Sequence, residues 1–114
     1  MSLERLGRAM QILVNSDKNI TVDTQVTKFV EEEVQRTLGR FESQLTRVEV
    51  HLSDVNSHKP GLKDKRCMVE VRPAGRKPTS TTDQAATVEA AVRGAASKMK
   101  NSLETTFGRA ANRR

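Results

Sequence analysis

The sequence predicts an α+β domain in which two helices pack on one face of a four-stranded sheet, in the order β-α-β-β-β-α. Two segments repeat apolar residues every three or four positions, as helices with one buried face do. Three others alternate apolar and polar residues, as half-buried strands do. The length of 114 residues suits a single domain.

The first strand and the first helix are predicted before residue 42. Apolar residues alternate in "MQILVNS", which predicts a strand with one firmly buried face. In the helix that follows, Asp23 is a candidate N-cap and Gly39 is expected to end the element. Apolar positions 26, 29, 30 and 34 form one helical face, and Glu33 falls within the same sector.

The middle of the chain predicts a hairpin and an edge strand. The segments "RVEVHLSDV" and "RCMVEVR" alternate in the same way, and the polar loop between them contains Pro60 and Gly61. The run "TSTTD" is short and β-branched but weakly apolar, which favours a fourth strand at a sheet edge.

The second helix is predicted from Asp83 or Gln84 to Phe107. Its apolar stripe comprises Val88, Ala91, Val92, Ala95, Met99 and Leu103. We therefore predict a single domain over residues 10–108, preceded by a flexible leader or tag at 1–9 and followed by a basic tail at 109–114.

Composition argues against several classes of protein. No segment is apolar enough for a membrane helix or a secretion signal, so a soluble cytoplasmic protein is expected. Cys67 is the single cysteine, which excludes an internal disulfide. His51 and Cys67 fall on opposite strand faces, so no metal site is expected. Catalytic residues and phosphate-binding glycine loops are not visible, and we expect no enzyme activity, cofactor or small-molecule substrate.

The charge of +6 is concentrated in the second half of the chain. Residues 1–56 hold seven Lys or Arg and nine Asp or Glu, whereas residues 57–114 hold thirteen and five. A field of this kind favours a polyanionic partner such as RNA. Because the chain has only three Phe and no Trp or Tyr, base stacking on the strands is not expected. The candidate phosphate contacts in the hairpin region are Lys59, Lys63, Lys65, Arg66, Arg72, Arg76 and Lys77.

The strings "VEVHLSDV", "DKRCMVEVRPAG" and "AATVEAAVRGAASKMKNSL" resemble the ribosome hibernation-promoting factor family, also called ribosome-associated inhibitor A or sigma-modulation proteins. The resemblance covers residues 10–108 and is closest to a short subgroup. It implies the fold predicted above, binding to the small ribosomal subunit and its ribosomal RNA, silencing of translation under stress, and no catalysis. It also implies basic contacts at Arg36 and Lys98, the latter beside small residues that would let an RNA backbone come near.

Two alternatives remain open at this point. Where typical family members carry a Lys in the first helix this chain has Glu33, and its second helix ends in "ETTFG" instead of a Lys-rich segment. A stress-related protein-interaction adaptor that has lost ribosome binding would fit these departures. A double-stranded RNA-binding module fits less well, because its Lys cluster is missing from "DQAATVEAA". Long members add a dimerisation domain that this sequence lacks, so a monomer is expected off the ribosome.

Overall fold

The computed structural model describes residues 10–55 and 64–112, with side chains as far as residue 108. It confirms the predicted element order β-α-β-β-β-α. The elements are β1 (Gln11–Ser16), α1 (Thr24–Leu38), a 3-10 helix (Gly39–Gln44), β2 (Leu45–Asp54), β3 (Lys65–Pro73), β4 (Thr79–Ala85) and α2 (Val88–Asn112).

The strands form one mixed sheet in the spatial order β1-β2-β3-β4. β1 runs parallel to β2 because α1 lies between them in the chain and returns the backbone to the same end of the sheet. β2 and β3 form the predicted antiparallel hairpin, and β4 pairs antiparallel with β3. The predicted edge position of the fourth strand is confirmed.

One face of the sheet is covered by both helices, and no helix of residues 10–55 and 64–112 lies on the other. Val50 of β2 lies between Val14 of β1 and Val69 of β3 in register. Val50 and Val69, on the two central strands, are fully buried. The helices bury Val34 and Met99 in the same core. Alternate residues of each strand therefore point to the opposite side, which we call the open face.

The first helix begins and ends where the sequence predicts. The side chain of Asp23 accepts a hydrogen bond of 2.9 Å from the backbone N–H of Val26, and the helix gives way to the 3-10 helix at Gly39. Glu33 is buried, with 8 % of its surface exposed. Its carboxylate accepts hydrogen bonds from Arg36 and Thr37, which compensates for its removal from water.

The second helix differs from the prediction at both ends. It begins at Val88, because residues 83–85 continue β4 and Asp83 pairs in register with Cys67. Thr87 caps the helix by accepting a 3.1 Å hydrogen bond from the N–H of Ala90. The helical backbone continues to Asn112, into the segment assigned to a basic tail. Within the described residues, neither helix has the length and hydropathy that crossing a membrane requires.

Candidate nucleic-acid interface

The predicted phosphate contacts fall into two groups according to their neighbours. Three of them, Arg36, Lys65 and Lys98, are ion-paired to carboxylates of the same chain. Four others, Arg66, Arg72, Arg76 and Lys77, form no ion pair with any described acidic residue. Lys59 and Lys63 lie outside the described residues.

Lys65 closes the open end of the hairpin. Its Nζ lies 3.1 Å from Oδ1 of Asp64 and 3.3 Å from Oδ2 of Asp54. The hydrogen bond to Asp64 is the main reason why the pKa of Lys65 is raised, and Asp54 adds to the effect. This ammonium group already has two anionic partners, which offset its charge and leave one N–H for a further acceptor.

Lys98 is attached to the edge of the sheet. Its Nζ donates to the backbone carbonyl of Thr82 at 2.9 Å and to Oδ1 of Asp83 at 3.1 Å. The Asp83 carboxylate lies so close over Gly94 that a Cβ at that position would overlap it. The space predicted to admit an RNA backbone beside Lys98 is therefore partly filled by Asp83.

The two unpaired arginines of β3 lie on the open face. Arg66 and Arg72 alternate with the buried Cys67, Val69 and Val71, and both are exposed. Arg72 stands opposite Arg47 of β2 in the hairpin register. Glu49 and Glu70, the next pair along the same face, border this arginine pair and offset part of its repulsion, with Arg47 ion-paired to Glu49.

A shallow groove at the β3–β4 turn is lined by three of the four unpaired cations. It measures about 410 Å³ and is lined by Thr46, Arg72, Pro73, Ala74, Gly75, Arg76 and Lys77. None of these lining residues is acidic. The groove thus presents three cationic side chains without a competing carboxylate in its wall.

Backbone contacts hold the turn in place. Gly75 adopts a φ of 73°, a left-handed conformation that glycine enters without steric cost. The N–H of Ala74 donates to the carbonyl of Gln44 at 2.9 Å, and the hydroxyl of Thr46 donates to the carbonyl of Arg72 at 3.0 Å. The cations therefore project from a turn anchored to β2 and its preceding 3-10 helix.

The three phenylalanines lie with the helices and the core, away from the open face of the strands. Phe41 is buried and its ring centroid lies 5.7 Å from that of Phe107. The guanidinium of Arg76 lies 5.5 Å from the Phe107 centroid, and that of Arg93 lies 5.2 Å from the Phe29 centroid. These contacts use the rings to orient arginines, an arrangement different from a stacking platform for bases.

Cys67 is a buried thiol in the sheet. Burial is the main cause that raises its pKa to about 12, with a smaller contribution from the nearby Asp83 carboxylate. The thiol stays protonated at neutral pH and packs as a small apolar group, in agreement with the interpretation from sequence.

Two features of the open face were not predicted from the sequence. Arg47 lies opposite Arg72, and the side chains of Glu49, His51 and Glu70 converge. Alternation alone places Arg47, Glu49 and His51 on one side of β2. Their partners across the hairpin depend on the register, and the long loop before β3 left that register undetermined. A shorter turn would have specified it.

The model of the family described as Sigma 54 modulation protein / S30EA ribosomal protein matches residues 13–110. The chain belongs to this family. The match confirms the resemblance to ribosome hibernation factors that the strand and helix strings carry. No curated protein sequence matches this S30EA chain significantly.

Solved structures support the fold of this S30EA family member. The N-terminal domain of Thermus thermophilus Protein Y superposes with a TM-score of 0.66 at 18% identity, covering 86% of this chain and 98% of that one. A ribosomal subunit interface protein from Coxiella burnetii superposes with a TM-score of 0.72 at 13% identity, covering 87% and 99%. At these identities the similarity establishes a shared fold.

Proposed function

We propose that this protein is a non-catalytic translation inhibitor that binds ribosomal RNA of the small subunit through Lys and Arg contacts to phosphates. It acts in the cytoplasm, as a monomer when off the ribosome, and needs no cofactor. Membership of the S30EA ribosomal protein family and the fold shared with a ribosomal subunit interface protein support this proposal. The observation that carries the chemistry is the groove at the β3–β4 turn, with three cations and no acid in its lining.

The groove suits the backbone of structured RNA. Arg72, Arg76 and Lys77 offer donors to neighbouring phosphates, and an arginine can contact two phosphate oxygens at once. Recognition of RNA helices depends largely on shape and backbone contacts, so aromatic side chains are not required. Arg66 extends the cationic surface towards the other end of the open face.

The cations that are ion-paired within the chain are expected to contribute less to RNA affinity than the groove cations. Carboxylates beside Arg36, Lys65 and Lys98 already offset part of the charge that each would present to RNA, although the side chains of Arg36 and Lys98 remain more than half exposed. An exchange of one anionic partner for another adds less free energy than a new contact made by a cation in water. We therefore expect the groove to carry more of the affinity than these three residues.

Co-sedimentation with small ribosomal subunits over a series of salt concentrations tests the proposal. The variant Arg72→Ala/Arg76→Ala/Lys77→Ala removes three groove cations, and its slope of log affinity against log salt should become shallower by about 2. The matched variant Arg36→Ala/Lys65→Ala/Lys98→Ala removes the same charge from paired positions. It should lose less affinity and change the slope less.

Three results would contradict the proposal. If the wild-type protein does not sediment with small subunits at any salt concentration, it does not bind the ribosome and the proposal is wrong. Equal losses in the two triple variants would show that total charge decides the affinity, whatever the position of the cations. If the protein retains a bound partner from a cell extract after ribonuclease treatment, the partner is a protein, and the protein-interaction adaptor is favoured instead.

Inhibition is measured separately from binding. Wild-type protein added to a cell-free translation reaction should lower product yield in proportion to subunit occupancy. The groove variant should require a higher concentration for the same inhibition, and its far-ultraviolet circular dichroism should match that of the wild type because the replaced side chains are exposed.

A further inference from the structure

Three potential metal ligands converge at the centre of the open face. Glu49 and His51 are alternate residues of β2, and Glu70 of β3 stands directly opposite Glu49 in register. One ligand atom from each residue lies within 4.8 Å of the other two, and all three side chains are half-buried. Two adjacent strands of the central hairpin hold the group, so its geometry rests on the most extensively paired part of the sheet.

The polar atoms of this group are poorly satisfied by the protein. His51 Nε2 is shielded from solvent and forms no hydrogen bond with the described residues. It lies 3.2 Å from Oε1 of Glu49, close enough for a charge contact but without the alignment of a hydrogen bond. The Glu70 carboxylate has no ion pair or hydrogen bond with a described residue. A shielded nitrogen of this kind calls for a partner.

The facing carboxylates are compensated from one side only, where Arg47 and Arg72 line the same small pocket. Glu49 and Glu70 are directly opposed, and like charges in this position destabilise a strand pair. Arg47 contacts only one side of Glu49, with Nε 3.1 Å from Oε2. That contact orients the carboxylate and leaves Oε1 towards His51 and the centre of the group.

We propose that Glu49, His51 and Glu70 bind a divalent transition-metal ion of the Zn²⁺ type. One imidazole nitrogen and two carboxylate oxygens form a mixed ligand set that Zn²⁺ accepts readily, whereas Mg²⁺ and Ca²⁺ prefer oxygen alone. Binding at the roughly 2.0–2.2 Å ligand distances of Zn²⁺ would require the glutamate side chains to rotate towards His51 from their present positions. Water would complete the coordination on the solvent side.

The proposed site differs from the histidine and cysteine combinations considered from sequence. Cys67 points into the core and His51 points to the open face, so these two residues do not share a site. The ligands that replace the cysteine are glutamates, brought to His51 by the hairpin register. The site stands on this geometry and does not depend on the proposed RNA binding.

Calorimetric titration of the full chain with ZnCl₂ at pH 7.5, after treatment with a chelator and desalting, tests the site. Wild type should bind one equivalent, and excess MgCl₂ should not displace it. The variants His51→Gln and Glu70→Gln should each weaken Zn²⁺ binding by more than about tenfold, the loss typical when only an outer partner of a metal ligand is removed. Zn²⁺ should also raise the melting temperature of the wild type.

Two matched controls separate this site from adventitious binding. His58→Gln removes the other histidine of the chain, and Glu31→Gln removes an exposed carboxylate of α1. Both should bind Zn²⁺ as the wild type does. The proposal is wrong if Zn²⁺ does not bind, if His51→Gln and Glu70→Gln bind as tightly as wild type, or if His58→Gln abolishes binding. Circular dichroism of each variant confirms that the sheet is retained.

Discussion

The two faces of the sheet treat charged side chains differently. On the side of the helices, Asp83 pairs with Lys98 at the α2–β4 contact and Glu33 of α1 pairs with Arg36, although both cationic side chains remain more than half exposed. On the open face and its adjoining turn, Arg47 is paired with Glu49, but Arg66, Arg72 and Lys77 have no acidic partner among the described residues. A count of basic residues therefore overestimates the cations that are available to a polyanion.

The difference follows from solvation. A charge taken out of water loses hydration, and the loss is tolerable only if an opposite charge or hydrogen bonds replace it. Glu33 is 8 % exposed and has such partners, and the half-buried Arg47 of the open face is likewise paired with Glu49, whereas Arg66 and Arg72 are exposed and keep their hydration. Water satisfies the open-face cations until a ligand replaces it, and this is why they are the better candidates for phosphate contacts.

The largest expected contrast between the faces is in stability. Leu52→Ala on the covered face should lower the free energy of unfolding by about 2–5 kcal/mol, because the side chain is 2 % exposed and its removal leaves a cavity. Met68→Ala on the open face should cost less than about 1 kcal/mol. Urea unfolding followed by circular dichroism measures both. Equal losses would mean that the open face is also covered in solution.

A second substitution tests how firmly Lys98 is held on the covered side. Gly94→Ala places a methyl group where the Asp83 carboxylate lies, so Asp83 and its ion pair with Lys98 must shift. We expect a loss of about 1–3 kcal/mol in unfolding free energy. In Gly94→Ala/Asp83→Ala only the Asp83 Cβ remains, 3.1 Å from the new methyl, and much of the loss should be recovered. No recovery would place the strain elsewhere.

The smallest effect at neutral pH is expected at Cys67. Burial raises the pKa of its thiol from about 9 to about 12, so folding favours the protonated form. Stability from this preference is complete below pH 9 and is lost as the pH rises towards 12. Wild type should therefore lose unfolding free energy relative to Cys67→Ala between pH 9 and 11. A constant difference between the two proteins over that range would contradict the raised pKa.

Much of the fold could be predicted because it depends on neighbours in the chain. Alternation in the hairpin strands, the apolar stripes of the helices and the cap at Asp23 are set by spacings of two to four residues. The predicted start of α2, at Asp83 or Gln84, was wrong because spacing along the chain does not show strand pairing. Residues 83–85 suit a helical wheel, but pairing with β3 extends them as strand, and Thr87 then caps the helix.

The availability of charge could not be predicted in this way. Sequence identified Lys98 as basic, but its partner Asp83 is brought to it by packing between α2 and β4. Lys65 has one partner next to it in the chain, Asp64, and a second, Asp54, that strand pairing supplies. Glu33 and Arg36 lie three residues apart on α1, so helix geometry alone brings them together. Local pairs can be read from the chain, whereas pairs between elements need the fold.

The sequence by itself determined the order of the elements, the residues of the core and the excess of positive charge in the second half. Tertiary structure decided which cations are paired, where the groove opens and which ligands meet His51. The physical reason is the separation along the chain between the residues that interact. Backbone conformation and burial patterns follow from adjacent residues, but electrostatic partners more than a helical turn apart depend on register and packing across the whole domain.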